Sequence, residues 1–199
     1  MEPQIVGIYG QVLGDLCSGE IKQMSSNFNP DIDIATYIEK SICKTATLFK
    51  AACLGGPIIN HVSPCEIMNY GEFGLNLGIC FQIVDDILDI IGNTKDLGKP
   101  QGNDLINGVI TLPIIYVLQD KNSDSDFIRN IISTKDTTNI DNLEKALKIT
   151  INNNGVARAI NLAQEYADNA RKNLSNLPDN IYTKAQQDLI DIVMNQIKI

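Results

Sequence analysis

Phe81-Gln82-Ile83-Val84-Asp85-Asp86-Ile87-Leu88-Asp89-Ile90-Ile91 sets three carboxylates inside an otherwise apolar run. Upstream, Ser63-Pro64 is a start signal, a capping serine followed by proline at the first helical position. A long helix from there to about Ile91, closed by Gly92-Asn93, accounts for the whole segment. Successive residues turn by about 100°, so Asp85 and Asp89 lie roughly 40° apart and one turn from each other, with Asp86 to one side. Two such charges about 6 Å apart repel by roughly 3 kcal/mol at an effective dielectric near 20. The flanking residues are apolar on nearly every side, so no wide solvated face explains the carboxylates. A neutralising cation does. Oxygen ligands without nearby histidine or cysteine point to Mg²⁺ or Mn²⁺. A carboxylate di-iron bundle would need a Glu-x-x-His from each of two helices, and His61 is the sole histidine.

Outward from this segment the chain reads as helix after helix. Ile5, Ile8, Tyr9, Val12, Leu13 and Leu16 recur at three- and four-residue spacing, and that stripe runs on towards Met24. Ser25 to Pro30 is a polar break. Asp33 caps a helix predicted to pass through Tyr37, Ile42, Thr45, Leu48 and Ala52 and to stop near Gly55-Gly56-Pro57. Thr94 to Gly108 reads as a long loop, Thr111-Leu112-Pro113 opens another helix, and amphipathic stretches follow near 127–133, 140–152, 156–174 and 183–197. No alternating strand pattern interrupts them. The expectation is one all-α domain over residues 1–199.

Composition excludes several classes of function. A formal charge of −8 is the wrong sign for a nucleic-acid surface. No apolar run approaches the ~20 residues of a membrane span, so no transmembrane segment is expected. Met1-Glu2-Pro3-Gln4 lacks the basic start and apolar stretch of a secretory signal. Cys17, Cys43, Cys53, Cys65 and Cys80 show no CxxC spacing and read as reduced thiols in a cytosol-like compartment.

After the carboxylates comes Gly98-Lys99-Pro100-Gln101-Gly102-Asn103-Asp104, where glycines allow tight backbone paths and Lys99 offers a mobile ammonium to a phosphate held by the metal. Three segments together, Gly78 to Asp89, Leu97 to Leu105 and Gly108 to Pro113, closely resemble the trans-isoprenyl (polyprenyl) diphosphate synthases, including their second aspartate-rich motif. Gly19-Glu20-Ile21-Lys22-Gln23 resembles that family's Gly-Glu-x-x-Gln motif, and Tyr37 to Lys40 with Lys44-Thr45-Ala46 resembles its Lys-Thr segment. The flavour is that of cyanobacterial and algal-plastid prenyl transferases.

The resemblance implies an isoprenoid-synthase helical bundle and a prenyl transfer in which an allylic diphosphate ionises, isopentenyl diphosphate attacks and a proton is lost, with a quinone side chain as the implied end use. It implies Mg²⁺ as cofactor, with Asp85 as direct ligand and Asp86 and Asp89 supporting it through water or from behind the ligand. Lys44 and Lys99 would grip the allylic diphosphate, and Thr45 and Gln82 would line the place where the cation forms and the proton leaves. Glu20 and Gln23 would form a polar patch in the cavity. It implies a homo- or hetero-oligomer and a plastid stroma or cytoplasmic location. No carboxylate motif precedes Gly19, where Asp15 stands alone. The expectation is therefore a C-terminal part of the bundle, without the family's first Asp-Asp-x-x-Asp motif, unable to run the condensation alone and presenting a large apolar patch. A non-catalytic subunit that modulates a complete synthase is the competing expectation.

Overall fold

A computed structural model describes residues 3–92 and 100–197, and they are helical throughout, with no strand among the described residues. The helices are α1 (Pro3–Ser26), α2 (Ile34–Ser41), α3 (Thr47–Ile59), α4 (Pro64–Ile91), α5 (Asn103–Ile106), α6 (Leu112–Leu118), α7 (Ser123–Ser133), α8 (Ile140–Asn152), α9 (Gly155–Ser175) and α10 (Ile181–Asn195). The all-α expectation holds.

Local chemistry places the starts. Asp33 accepts a hydrogen bond from the Thr36 amide at 2.8 Å and so caps α2. Ser63 and Glu66 form a reciprocal capping box at the start of α4, with Pro64 at the first position, where its missing N–H costs nothing. Two expectations change. The helix capped by Asp33 is not uniform, because a π-helical turn, Ile42–Ala46, joins α2 to α3. It also passes through Gly55-Gly56-Pro57 and ends at Ile59. Pro57 sits in the last turns, where its ring forfeits only one ladder bond, and the chain reverses at His61, whose φ is 52°. Within the expected 94–108 loop, the described part holds the one-turn helix α5.

α4 is apolar on nearly every face, the pattern of a helix surrounded by others, and it forms the centre of the fold. Its small residues Gly71, Gly74 and Gly78 face α3 and the π turn. On another side lies α9, whose Ala159, Ala163, Ala167 and Ala170 are all fully buried and repeat at helical spacing. These small side chains let the two helices approach closely. Only Gln82 and the three carboxylates break the apolar surface of the second half of α4.

The continuous stretch Ile34–Ile59, 26 residues, is long and apolar enough by length and composition to cross a membrane, which the sequence reading overlooked. It lies instead along α4, and its Lys44 and Lys50 pair with Glu20 and Glu72 at 3.5 and 3.0 Å. Lipid would strip those ion pairs of the water they face. Its outer surface is incompletely covered, and α1 beside it leaves Val6, Tyr9, Leu13, Ile21 and Met24 exposed.

Candidate active site

The π turn carries the sequence-predicted Lys44 and Thr45, and two glycines fix its position. A Cβ on Gly19 of α1 would stand 2.8 Å from the Lys44 backbone nitrogen, and one on Gly78 of α4 would stand 2.6 Å from the Ala46 Cα. Only hydrogen fits on either side, so α1 and α4 clamp the turn at backbone contact. The extra residue of a π turn re-aims the side chains that follow it.

Beneath the clamp is a cavity of about 160 Å³ lined by Gln23, Lys40, Lys44, Gln82, Asp85, Asp86 and Asp104, with Tyr37, Ser41 and Val109 completing the walls. Gln23, Lys44, Gln82, Asp85 and Asp86 are thus brought together from three helices. The Gln23 amide oxygen accepts from Lys44 Nζ at 2.8 Å, and Glu20 flanks the same ammonium.

A hydrogen-bond chain runs along one wall. Thr45 Oγ1 donates to Gln82 Oε1 at 2.6 Å, Gln82 Nε2 donates to Asp86 Oδ1 at 2.9 Å, and Tyr37 Oη donates to Asp86 Oδ2 at 2.6 Å. The Gln82 amide thus turns its NH₂ towards Asp86 and its oxygen towards Thr45. Thr45 spends its proton there and keeps its lone pairs free.

The three aspartates part company. Asp85 is exposed at the cavity, Asp86 is buried at its wall, and Asp89 is fully buried away from it. Asp89 Oδ2 accepts from the Asp104 amide at 3.2 Å, and its carbonyl accepts from the Gly102 amide at 2.8 Å. It therefore anchors α5, and with it Asp104, against α4. The predicted Lys99 lies outside the described residues.

Burial pushes the Asp86 carboxyl up to about 7, against the opposing pull of the Tyr37 and Gln82 hydrogen bonds. Burial, and then the neighbouring Asp86 charge, raise the Tyr37 phenol well above its usual value. The folded chain keeps the Asp86 proton to about pH 7, whereas an unfolded aspartate releases it near pH 4. The folded state binds more protons between those values, so this group's contribution is lost as pH rises through 7. Asp86→Asn should therefore be more stable than the parent in urea melts at about pH 8, and the advantage should vanish towards about pH 4.

Sequence reasoning missed Tyr37, Lys40, Ser41, Asp104 and Val109 as cavity residues. A signal existed, since Tyr37, Lys40, Ser41 and Lys44 repeat at i, i+3, i+4 and i+7 as a polar stripe on an apolar helix.

The family model described as polyprenyl synthetase matches residues 1–150. This chain belongs to that polyprenyl synthetase family. It is 40% identical over 187 residues to solanesyl diphosphate synthase 1, chloroplastic, of Arabidopsis thaliana, covering 94% of this chain and 45% of that protein. It is 32% identical to a prenyl transferase of Porphyra purpurea, covering 98% of this chain and 58% of the relative. Among solved structures it resembles the heptaprenyl diphosphate synthase of Staphylococcus aureus, with a TM-score of 0.90 and 27% identity, over 98% of this chain and 60% of the other. A polyprenyl synthase of Caulobacter crescentus, solved with calcium and isoprenyl diphosphate, matches with a TM-score of 0.91 and 28% identity, over 97% and 59%. The chain thus spans roughly half of the curated relatives' length. These matches give the polyprenyl synthetase fold and a family whose named members are prenyl and polyprenyl diphosphate synthases.

Proposed function

We propose that this chain carries the diphosphate-leaving half of a prenyl transferase that joins isopentenyl diphosphate to an allylic diphosphate. The observation that carries the reading is the cavity in which Asp85, Asp86, Lys44 and Gln82 converge, with Thr45 bonded to Gln82.

Among the described residues, no three histidine, cysteine or acidic side chains converge into a cage that would hold a metal alone. The donor set suits Mg²⁺, which takes one or two carboxylates and completes its shell with water and substrate phosphate. Asp85 would be the direct ligand and Asp86 its buried support, with Asp89 acting through the placement of α5. Bound there, Mg²⁺ supplies positive charge to the phosphate oxygens as the carbon–oxygen bond breaks. Lys44, steadied by Gln23 and Glu20, adds a second cation aimed at the departing diphosphate. Thr45, its proton committed to Gln82, turns lone pairs towards the allylic cation.

A separate apolar groove of about 500 Å³ is lined by Phe81 and Phe49, whose tilted rings lie 5.3 Å apart, with Leu48, Leu77 and Ile192 continuing the wall. It would hold hydrocarbon and keep water from the cation. The exposed apolar residues of α1 support association with a further helical surface, in a homo- or hetero-oligomer. A plastid location is supported by the chloroplastic relatives. Nothing in the cavity favours the non-catalytic subunit, which has no need of these residues.

Titrating farnesyl diphosphate into the chain with and without Mg²⁺ tests the reading. Metal-dependent binding that inorganic pyrophosphate displaces is expected. Absent or metal-independent binding overturns it.

A further inference from the structure

Lys40 is 7% exposed, yet among the described residues it makes no hydrogen bond or ion pair. The centroid of the Tyr37 ring lies 5.8 Å from the Lys40 Nζ. A buried ammonium without a direct partner is costly, because its three N–H groups have left water for nothing of equal strength. The side chain lines the cavity, where among the described residues Asp85, Asp86 and Asp104 are the anionic groups and Lys44 the other cationic one. It is also held in place, being the fourth residue before Lys44 on the helix that the π turn interrupts.

We propose that Lys40 is a dedicated diphosphate-binding residue, whose ammonium completes its hydrogen bonds with a phosphate oxygen when a magnesium diphosphate enters the cavity. The inference rests on reading the cavity as a diphosphate site and adds a cation that neither the aspartate motif nor the Lys-Thr segment supplies. Burial has the largest effect on the Lys40 ammonium and pulls its pKa below the ordinary value, with Lys44 acting in the same direction and Asp86 and Asp104 opposing them. Mg²⁺ at Asp85 would occupy the negative charge of the carboxylates, and a phosphate oxygen becomes the strongest acceptor left within reach of Nζ. Tyr37 has a supporting part. Its ring stands beside the lysine stem while its hydroxyl holds Asp86, so one residue positions both signs of charge.

A purely structural lysine, a counter-ion to Asp86, would behave differently. Removing it would alter stability without altering the affinity for phosphate once the metal is saturating. The test is calorimetric titration of inorganic pyrophosphate at saturating Mg²⁺ into the parent chain, Lys40→Met and Lys40→Arg, each checked for helicity by circular dichroism. Lys40→Met should bind about 10- to 100-fold more weakly, the loss of one charge-assisted hydrogen-bonding group, and Lys40→Arg should recover most of that. Equal affinity in parent and Lys40→Met overturns the role of Lys40 and leaves the site assignment standing. No binding by the parent overturns both. Should Lys40→Met fail to fold, the lysine Cε resonances of the parent decide. The signal missing from Lys40→Arg must move when Mg²⁺ and pyrophosphate are added, and a static signal refutes the contact.

Discussion

Asp85→Ala should weaken Mg²⁺-dependent pyrophosphate binding by about 100-fold or more, with helicity and melting temperature close to the parent's. The size follows from position. Asp85 is the only carboxylate of the three that is exposed at the cavity, so a cation arriving from water meets it first. A metal that keeps most of its waters relies on one or two protein carboxylates, and removing the direct one forfeits a full ionic bond. A hundredfold loss corresponds to about 2.8 kcal/mol, which a single charge-assisted contact in a partly enclosed site can supply. The fold should not notice, because an exposed side chain gives up little packing when it is truncated. Asp89→Ala should show the reverse profile. Asp89 is fully buried and ties α5 to α4, so its loss should lower the melting temperature first and affect binding only through the displaced α5. Equal binding losses with equal stability for the two variants would contradict the division of labour among the aspartates.

The second large effect concerns stability. Gly78→Ala should destabilise the chain by about 2–3 kcal/mol, lowering the melting temperature by roughly 4–12 °C. Its new Cβ would meet the Ala46 Cα at 2.6 Å, the Ala46 Cβ at 2.9 Å and the Phe49 Cβ at 3.1 Å. The first of these is backbone of the clamped π turn and has nowhere to retreat, since Gly19 presses it from the other side. Alanine's better helix propensity returns only about 1 kcal/mol. Gly55→Ala is the matched control, also inside a helix but with nothing within 4 Å of its Cβ, and it should stabilise by about 0.5–1 kcal/mol. Differential scanning fluorimetry of both variants checks the contrast. Gly78→Ala should also weaken pyrophosphate binding, because pushing Ala46 away moves Thr45 from Gln82 and Lys44 from the cavity.

Most helix starts were legible because they rest on contacts three residues apart. Asp33 with Thr36 and Ser63 with Glu66 satisfy orphan amides locally, whatever the rest of the chain does. The end of α3 lies a few residues beyond Gly55-Gly56-Pro57, at Ile59, with Ile58 buried in the last turn. The π turn left no mark in the sequence pattern, being a one-residue adjustment imposed by close contact with two neighbours.

The same boundary divides the site. The sequence by itself determined an all-helical chain and a central apolar helix bearing three carboxylates, because residue type and helical spacing carry that information; the grouping of Lys44, Thr45 and Gln82 came only from the resemblance of their motifs to the polyprenyl synthetase family. Only the tertiary structure decided that Asp85 opens to the cavity while Asp89 is sealed beneath α5, that Tyr37 holds Asp86, and that Lys40 is buried with no hydrogen bond or ion pair among the described residues. Those outcomes depend on which surfaces meet across tens of residues, and helical spacing alone says which face a side chain occupies, never what will cover it.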